Sequence, residues 1–259
     1  IEQLFHPQLA HCLIKNHQSQ TAVFDVFQID NSLYLFQNKK FVFSSTTKDY
    51  YLLQGRFALE LTNVIHGKEN CNWLSTFHAS TVCNTNEAIM LIGDSGNGKS
   101  TLSAILMSHG FDLLSDDFTP LYNDDKHLYR YPAAISIKKG AFKIIENEIK
   151  EFKTLTTYFN GPKNKNIKYV PPSAGFKTSK KNFPCRKIVF VKYDEDCCSS
   201  FKQVSEEIIL KTLIPEAWIS PKPEHAKQFL NWLSDVEFHE LQYSDNNFAV
   251  QSLKKLINI

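Results

Sequence analysis

The run Gly93-Asp94-Ser95-Gly96-Asn97-Gly98-Lys99-Ser100 satisfies the spacing GxxxxGK[ST], and each residue type in it answers a demand of phosphate chemistry. Glycines let successive backbone amides turn inward around an anion, in conformations that a Cβ disfavours. A helix beginning at the loop brings the positive end of its dipole to the same spot. Lys99 supplies a mobile point charge for the outer phosphates, and the Ser100 hydroxyl is suited to Mg²⁺. Residues 93–100, with Thr101 behind them, are therefore the candidate nucleotide-binding set, with ATP and Mg²⁺ as the ligands expected.

Such a loop needs a carboxylate on its metal side, usually at the end of a nearby strand. Residues 111–115 read as a short strand ending at Asp116-Asp117, beside the nucleotide on the simplest right-handed crossover. Successive residues at a strand end point different ways, so the pair can divide labour. One carboxylate holds Mg²⁺ through water, while the other takes a proton from an incoming hydroxyl. His78 is expected on the strand partnered with the one that delivers Gly93, where it can hydrogen-bond one carboxylate and tune its basicity. Arg186, or a lysine between 163 and 181, is a further candidate to close over the phosphates.

The elements that must position these groups are also legible. Residues 88–92 are an apolar run of strand length, and 101–109 place Leu102, Ile105, Leu106 and His109 on one helical face before Gly110. Residues 1–46 read as strands, with an antiparallel sheet over 22–30, 32–37 and 41–43. A helix follows over 46–65, then a hairpin over 73–92 whose first arm carries His78. Strands are predicted over 128–131, 134–137, 186–193 and 238–243, and helices over 138–159, 205–213, 223–233 and 247–257. Residues 161–184 hold four prolines and six lysines with little periodicity, which predicts a long mobile loop.

Residues 77–122, from Phe77-His78 through the loop to Asp116-Asp117, resemble the catalytic core of the HPr kinase/phosphorylase family and its smaller kinase relatives. That family pairs a histidine at the start of a hairpin with GDSGxGKS and an Asp-Asp at the end of the next strand. The resemblance implies that His78, Asp116 and Asp117 are catalytic and that Lys99 and Ser100 handle phosphate and metal. Asp116 would be the base that activates an acceptor serine, leaving Asp117 with Ser100 on the metal. It also implies an α/β fold, a mixed sheet with flanking helices of the type shared with phosphoenolpyruvate carboxykinase. Thr101 stands where the family's enzymes carry an acidic residue, their downstream glycine- and arginine-rich signature is not recognisable, and residues 1–70 do not resemble their N-terminal domain. These departures point to a side-branch kinase, including the type that phosphorylates a serine during peptide maturation.

Composition bounds the remaining choices. The 259 residues carry 29 basic and 27 acidic side chains, so charge makes no case for nucleic acid. Six cysteines lie at 12, 71, 83, 185, 197 and 198 without CxxC spacing, which predicts free thiols rather than disulfides or zinc. No apolar run approaches ~18 residues and no signal-peptide pattern opens the chain, so a cytoplasmic protein without a membrane partner is expected. A small β-rich and helical region at 1–70 and a kinase core at 71–259 are the expected domains. The leading expectation is an ATP- and Mg²⁺-dependent kinase acting on a serine of a peptide or small protein. A nucleotide-binding module without transfer and a small-molecule kinase are the alternatives.

Overall fold

Two units make up the chain, Ile1–Asn72 and Trp73–Ile259; the computed structural model describes residues 2–14, 20–160, 165–173 and 180–259. The first unit holds helix α1 (Glu2–Leu9), an antiparallel meander of β1 (Phe24–Ile29), β2 (Ser32–Gln37) and β3 (Lys40–Thr46), and helix α2 (Tyr50–His66). Asp30, Asn38 and Lys39 adopt positive φ where the strands reverse, and Gly67, at φ 61°, ends α2 in the left-handed cap that glycine favours. Leu33, Leu35 and Leu53 form its small core. Helix α1 corrects the expectation of strands from residue 1. It is too short to hold by propensity, and Leu4 and Phe5 anchor it, with the Phe5 ring 4.4 Å from that of Phe57.

The second unit begins with β4 (Trp73–Phe77), β5 (Ser80–Cys83), β6 (Ala88–Ile92), helix α3 (Lys99–Ser108) and β7 (Asp112–Ser115). Next come β8 (Thr119–Tyr122), β9 (His127–Tyr129), β10 (Ile135–Lys138), α4 (Phe142–Glu148), β11 (Thr157–Asn160) and β12 (Lys165–Val170). The rest is β13 (Asn182–Tyr193), β14 (Ser200–Gln203), α5 (Glu206–Leu213), β15 (Ala217–Ile219), α6 (Pro223–Ser234), β16 (Glu237–Tyr243) and α7 (Asn246–Leu256). Ten of these strands form one mixed sheet in the order β15-β4-β8-β9-β13-β6-β5-β7, with β16 also paired to β13 and β14 beyond it. Strands β10, β12 and β11 form a second, three-stranded antiparallel sheet.

Burial on both faces explains why residues 88–92 are apolar without alternation. Ile89 and Leu91 enter a core with Leu102, Ile105 and Leu106 of α3, Val189 and Val191 of β13, and Val250 and Leu253 of α7. Ala88, Met90 and Ile92 face the other way, toward Ile209 and Leu213 of α5 and Phe229 and Trp232 of α6. A strand wedged between two cores has little freedom to shift, and β6 is the strand that presents Gly93.

Three sequence expectations change here. His78 is not within a strand; it forms the bend between β4, which pairs with β8 and β15, and β5, which pairs with β6 and β7. The single helix expected over 138–159 is α4 flanked by two 3-10 turns, followed by β11. Residues 165–170 and 182–184, expected in the mobile loop, are strands; Ile167, Val170 and Phe183 are buried and supply the apolar anchors. Residues 171–173 and 180–181 lie outside strands and helices, as expected of a loop, and 161–164 and 174–179 lie outside the described residues. Strands β8, β14 and β15 had no signal strong enough to read, since Pro120 argues against a strand and the other two are short. Leu91, fully buried in β6, should tolerate truncation poorly. Leu91→Ala is expected to cost about 2–5 kcal/mol in urea unfolding, and a loss below ~1 kcal/mol would show that β6 is not held as described.

Candidate active site

Residues 93–98 connect β6 to α3 as a loop that only glycine allows at three points. Gly93, Gly96 and Gly98 have φ of 147°, 104° and 89°. A Cβ on Gly93 would lie 2.6 Å from the Val191 carbonyl oxygen, and one on Gly98 would lie 3.1 Å from Tyr243 Oη and 3.2 Å from Tyr193 Cβ. The loop is therefore pressed against β13 and β16, and the Tyr193 amide donates to the Asn97 carbonyl at 3.2 Å. Asp94, Ser95 and Asn97 form the turn, with the Asn97 amide donating to the Asp94 carbonyl. Thr101 sits half-buried in the first turn of α3.

Lys99 is 7% exposed, and its ammonium donates to the carbonyls of Gly93, at 2.5 Å, and Asp94, at 3.3 Å. A buried cation held by neutral carbonyls keeps a surplus of positive potential, which favours an anion within the same loop. Left-handed glycines, a helix N-terminus and this ammonium together fit a polyphosphate. Among the described residues no group of three or more His, Cys, Asp or Glu side chains could hold a metal ion. The Ser100 hydroxyl and one carboxylate fit Mg²⁺ instead, an ion usually held by few protein ligands and otherwise by water and substrate phosphates.

Strand β7 brings the acid pair to the loop although β5 lies between β7 and β6. Ser115 ends β7 in ordinary extended backbone, and Asp117 then turns to φ 61°. That left-handed residue, which aspartate tolerates better than most, sends the two carboxylates apart. Asp116 is buried, accepting from the Ser100 hydroxyl at 3.0 Å and the Ser136 amide at 3.3 Å. Asp117 turns outward, its side chain 52% exposed, and lies 3.3 Å from His78 Nε2. Ser100 therefore faces Asp116, where the sequence had grouped it with Asp117.

Burial, then the neighbouring Asp117 charge, pushes the Asp116 carboxyl above its usual range, against hydrogen bonds from Ser80, Ser100 and the Ser136 amide. Desolvation alone would raise Asp117 too, but the His78 hydrogen bond and the charges of His78, Lys99 and Lys138 outweigh it and hold Asp117 low. His78 is pushed up to about 9, first by its hydrogen bond to Asp117, with burial opposing and Asp117 charge and Glu216 adding to the rise. The arrangement is a protonated imidazole bridging two carboxylates.

Glu216 is the residue the sequence did not suggest. Its carboxylate meets His78 Nδ1 at 2.6 Å, and its carbonyl accepts from the His78 amide at 2.8 Å. It lies 138 positions away, so no local pattern could have joined them. Ser136 and Lys138 were also missed, although the alternation Ile135-Ser136-Ile137-Lys138 puts both polar side chains on one face of β10. The Ser136 hydroxyl donates to Asp117 at 3.4 Å, and Lys138 Nζ lies 3.4 Å from Ser95 Oγ.

Arg186 is removed from the site. It is exposed at a bulge in β13 opposite Ala88, at the far end of β6 from Gly93, roughly 16 Å away at ~3.3 Å per strand residue. Of the lysines between 163 and 181, Lys168 points into the second unit's core, donating to the carbonyls of Phe152 and Lys153.

No protein-family model matches the chain, and no curated protein matches it. Among solved structures, the Hpr(Ser) kinase/phosphatase from Coxiella burnetii aligns over 71% of this chain and 96% of its own, at 12% identity and a TM-score of 0.34. A likeness at that level carries no functional argument, so the side chains must. No described helix is long and apolar enough to cross a membrane.

The site geometry predicts that Glu216→Gln lowers the His78 imidazole pKa, because it removes one of the two anions that favour the charged ring. Asp117→Asn should lower it further, since the Asp117 hydrogen bond and charge contribute more to the rise than Glu216 does. Titration of the His78 ring by NMR checks both, and an unchanged midpoint in the two variants would contradict the bridge.

Proposed function

We propose that the second unit is an ATP- and Mg²⁺-dependent kinase that transfers the γ-phosphoryl group to a hydroxyl, most simply a serine of a peptide or small protein. The observation that carries this reading is the division of the acid pair. Asp116 is buried against the Ser100 hydroxyl, while Asp117 is exposed and bridged to His78. A nucleotide switch or a simple hydrolase has no need of a second, outward carboxylate held by a charged histidine. An enzyme that must position an acceptor hydroxyl does.

In this reading the roles of the two acids are the reverse of those the sequence resemblance implied. The Gly93–Gly98 amides and the Lys99 ammonium would hold the β- and γ-phosphates. Bound Mg²⁺ would supply charge neutralisation on those phosphate oxygens. Ser100 and Asp116 would hold the ion on the inner side, Asp116 through water. Asp117 would accept the proton of the incoming hydroxyl as its oxygen bonds to the γ-phosphorus. The bond from that phosphorus to the β,γ-bridging oxygen would break, releasing ADP. His78, kept charged by Asp117 and Glu216, would orient the Asp117 carboxylate and add positive potential beside the transferring group.

The test is a phosphoserine and ADP assay with ATP, Mg²⁺ and a serine-peptide library, read by mass spectrometry. Asp117→Asn is expected to lower kcat ~100-fold or more while nucleotide still binds. Asp116→Asn is expected instead to raise the Mg²⁺ concentration needed for half-maximal rate by ~10-fold or more. Equal kcat for Asp117→Asn and wild type would remove the proposed base, and ADP formed without any phosphorylated acceptor would favour a hydrolase.

A further inference from the structure

A cavity of about 360 Å³ lies beside the loop, lined by Lys138, Lys139, Gly140, Phe159, Lys165 and Asn166. None of those six residues is acidic, three are lysines, and Phe159 is 66% exposed. Pairing in the three-stranded sheet gathers them from separate stretches of chain. Lys138 ends β10 opposite Ile167, and Phe159 of β11 pairs with Asn166 of β12, next to Lys165.

The cavity's place relative to the phosphates follows from Lys99. A lysine at this loop position reaches the outer phosphates, and the Lys99 ammonium lies against the carbonyls of Gly93 and Asp94. The Gly93–Ser95 limb is therefore the outer-phosphate end, and the start of α3 is the inner end. Ser95 is the residue that Lys138 touches, at 3.4 Å. Lys138 thus links the cavity to the outer-phosphate end of the loop. Asp117 lies at the same edge, since Ser136, two residues before Lys138 on one face of β10, donates to it at 3.4 Å.

We infer that this cavity binds the acidic flank of the acceptor, a peptide segment bearing carboxylates next to the phosphorylated serine. Resting on the kinase reading of the neighbouring site, it supplies the substrate class that reading lacks. Three lysines among the six described lining residues, none of which is acidic, favour an anionic segment and disfavour a basic one. The Phe159 ring offers apolar surface to the side chain of an adjacent residue, which suits a peptide better than a small inorganic anion. The pocket would select the acceptor by charge, while Asp117 selects its hydroxyl.

The experiment compares two fluorescein-labelled serine peptides of equal length, one flanked by glutamates and the other by glutamines. Transfer is measured with ATP and Mg²⁺, and binding by fluorescence anisotropy with ADP and Mg²⁺. Wild type should use the glutamate peptide at least ~10-fold better in kcat/KM, with binding that weakens as salt rises. The double variant Lys139→Glu, Lys165→Glu changes two exposed side chains; it should lose that preference while KM for ATP and the urea midpoint stay unchanged. Equal use of both peptides by wild type would overturn the inference. So would a double variant that keeps the preference but raises KM for ATP, because the cavity would then serve the nucleotide. Absence of both binding and transfer with the glutamate peptide would overturn it as well. Charge-selective binding that is lost in the double variant, with no phosphoserine formed, would support the cavity's role and sink the kinase reading alone.

Discussion

A buried ammonium held by backbone carbonyls is the interaction on which the rest of this site depends. Lys99 can lie inside its loop only because Gly93, Gly96 and Gly98 take positive φ, and two of those glycines also let the loop press against β13 and β16. The pressure comes from elsewhere in the unit. Strand β6 is clamped between two apolar cores, and α3 presents Leu102, Ile105 and Leu106 to one of them. The two cores thus hold the loop's ends in place, and the glycines let the backbone between them close around the Lys99 ammonium.

The second constraint is the left-handed turn at Asp117. Two adjacent carboxylates with the same orientation would repel each other across a small volume and leave one of them without partners. At φ 61° the chain instead sends Asp116 inward to Ser100 and Asp117 outward to His78. Each acid then meets a different partner, and their surroundings push their protonation equilibria in opposite directions, Asp116 up and Asp117 down. Glu216 completes the outward half by fixing His78 through both its side chain and its backbone.

Local features of this site were legible, and distant ones were not. The strand, glycine loop and helix over 88–108 follow from an apolar run, a motif and a helical stripe that are contiguous in the chain. The closeness of Asp116-Asp117 to the loop was also readable, because a short crossover leaves few alternatives. Which acid faces Ser100 was not, since it turns on one backbone dihedral that spacing does not encode. Glu216 reaches His78 through the pairing of β15 with β4, and β15 has only three residues. Arg186 looked suitable by charge, but the direction of β13 carries it to the other end of the sheet. The lysines of 138–139 and 165 converge only because β12, read as loop, pairs with β10.

Whether residues 93–100 cradle a nucleotide's phosphates with help from Mg²⁺ is decided by calorimetric titration of the protein with a non-hydrolysable ATP analogue, with and without Mg²⁺. One saturable site per chain is expected, tightened by Mg²⁺ and abolished in Gly98→Val, where a branched side chain would meet Tyr193 and Tyr243. No saturable binding by the wild-type chain, or equal binding by a folded Gly98→Val variant, would contradict the cradle.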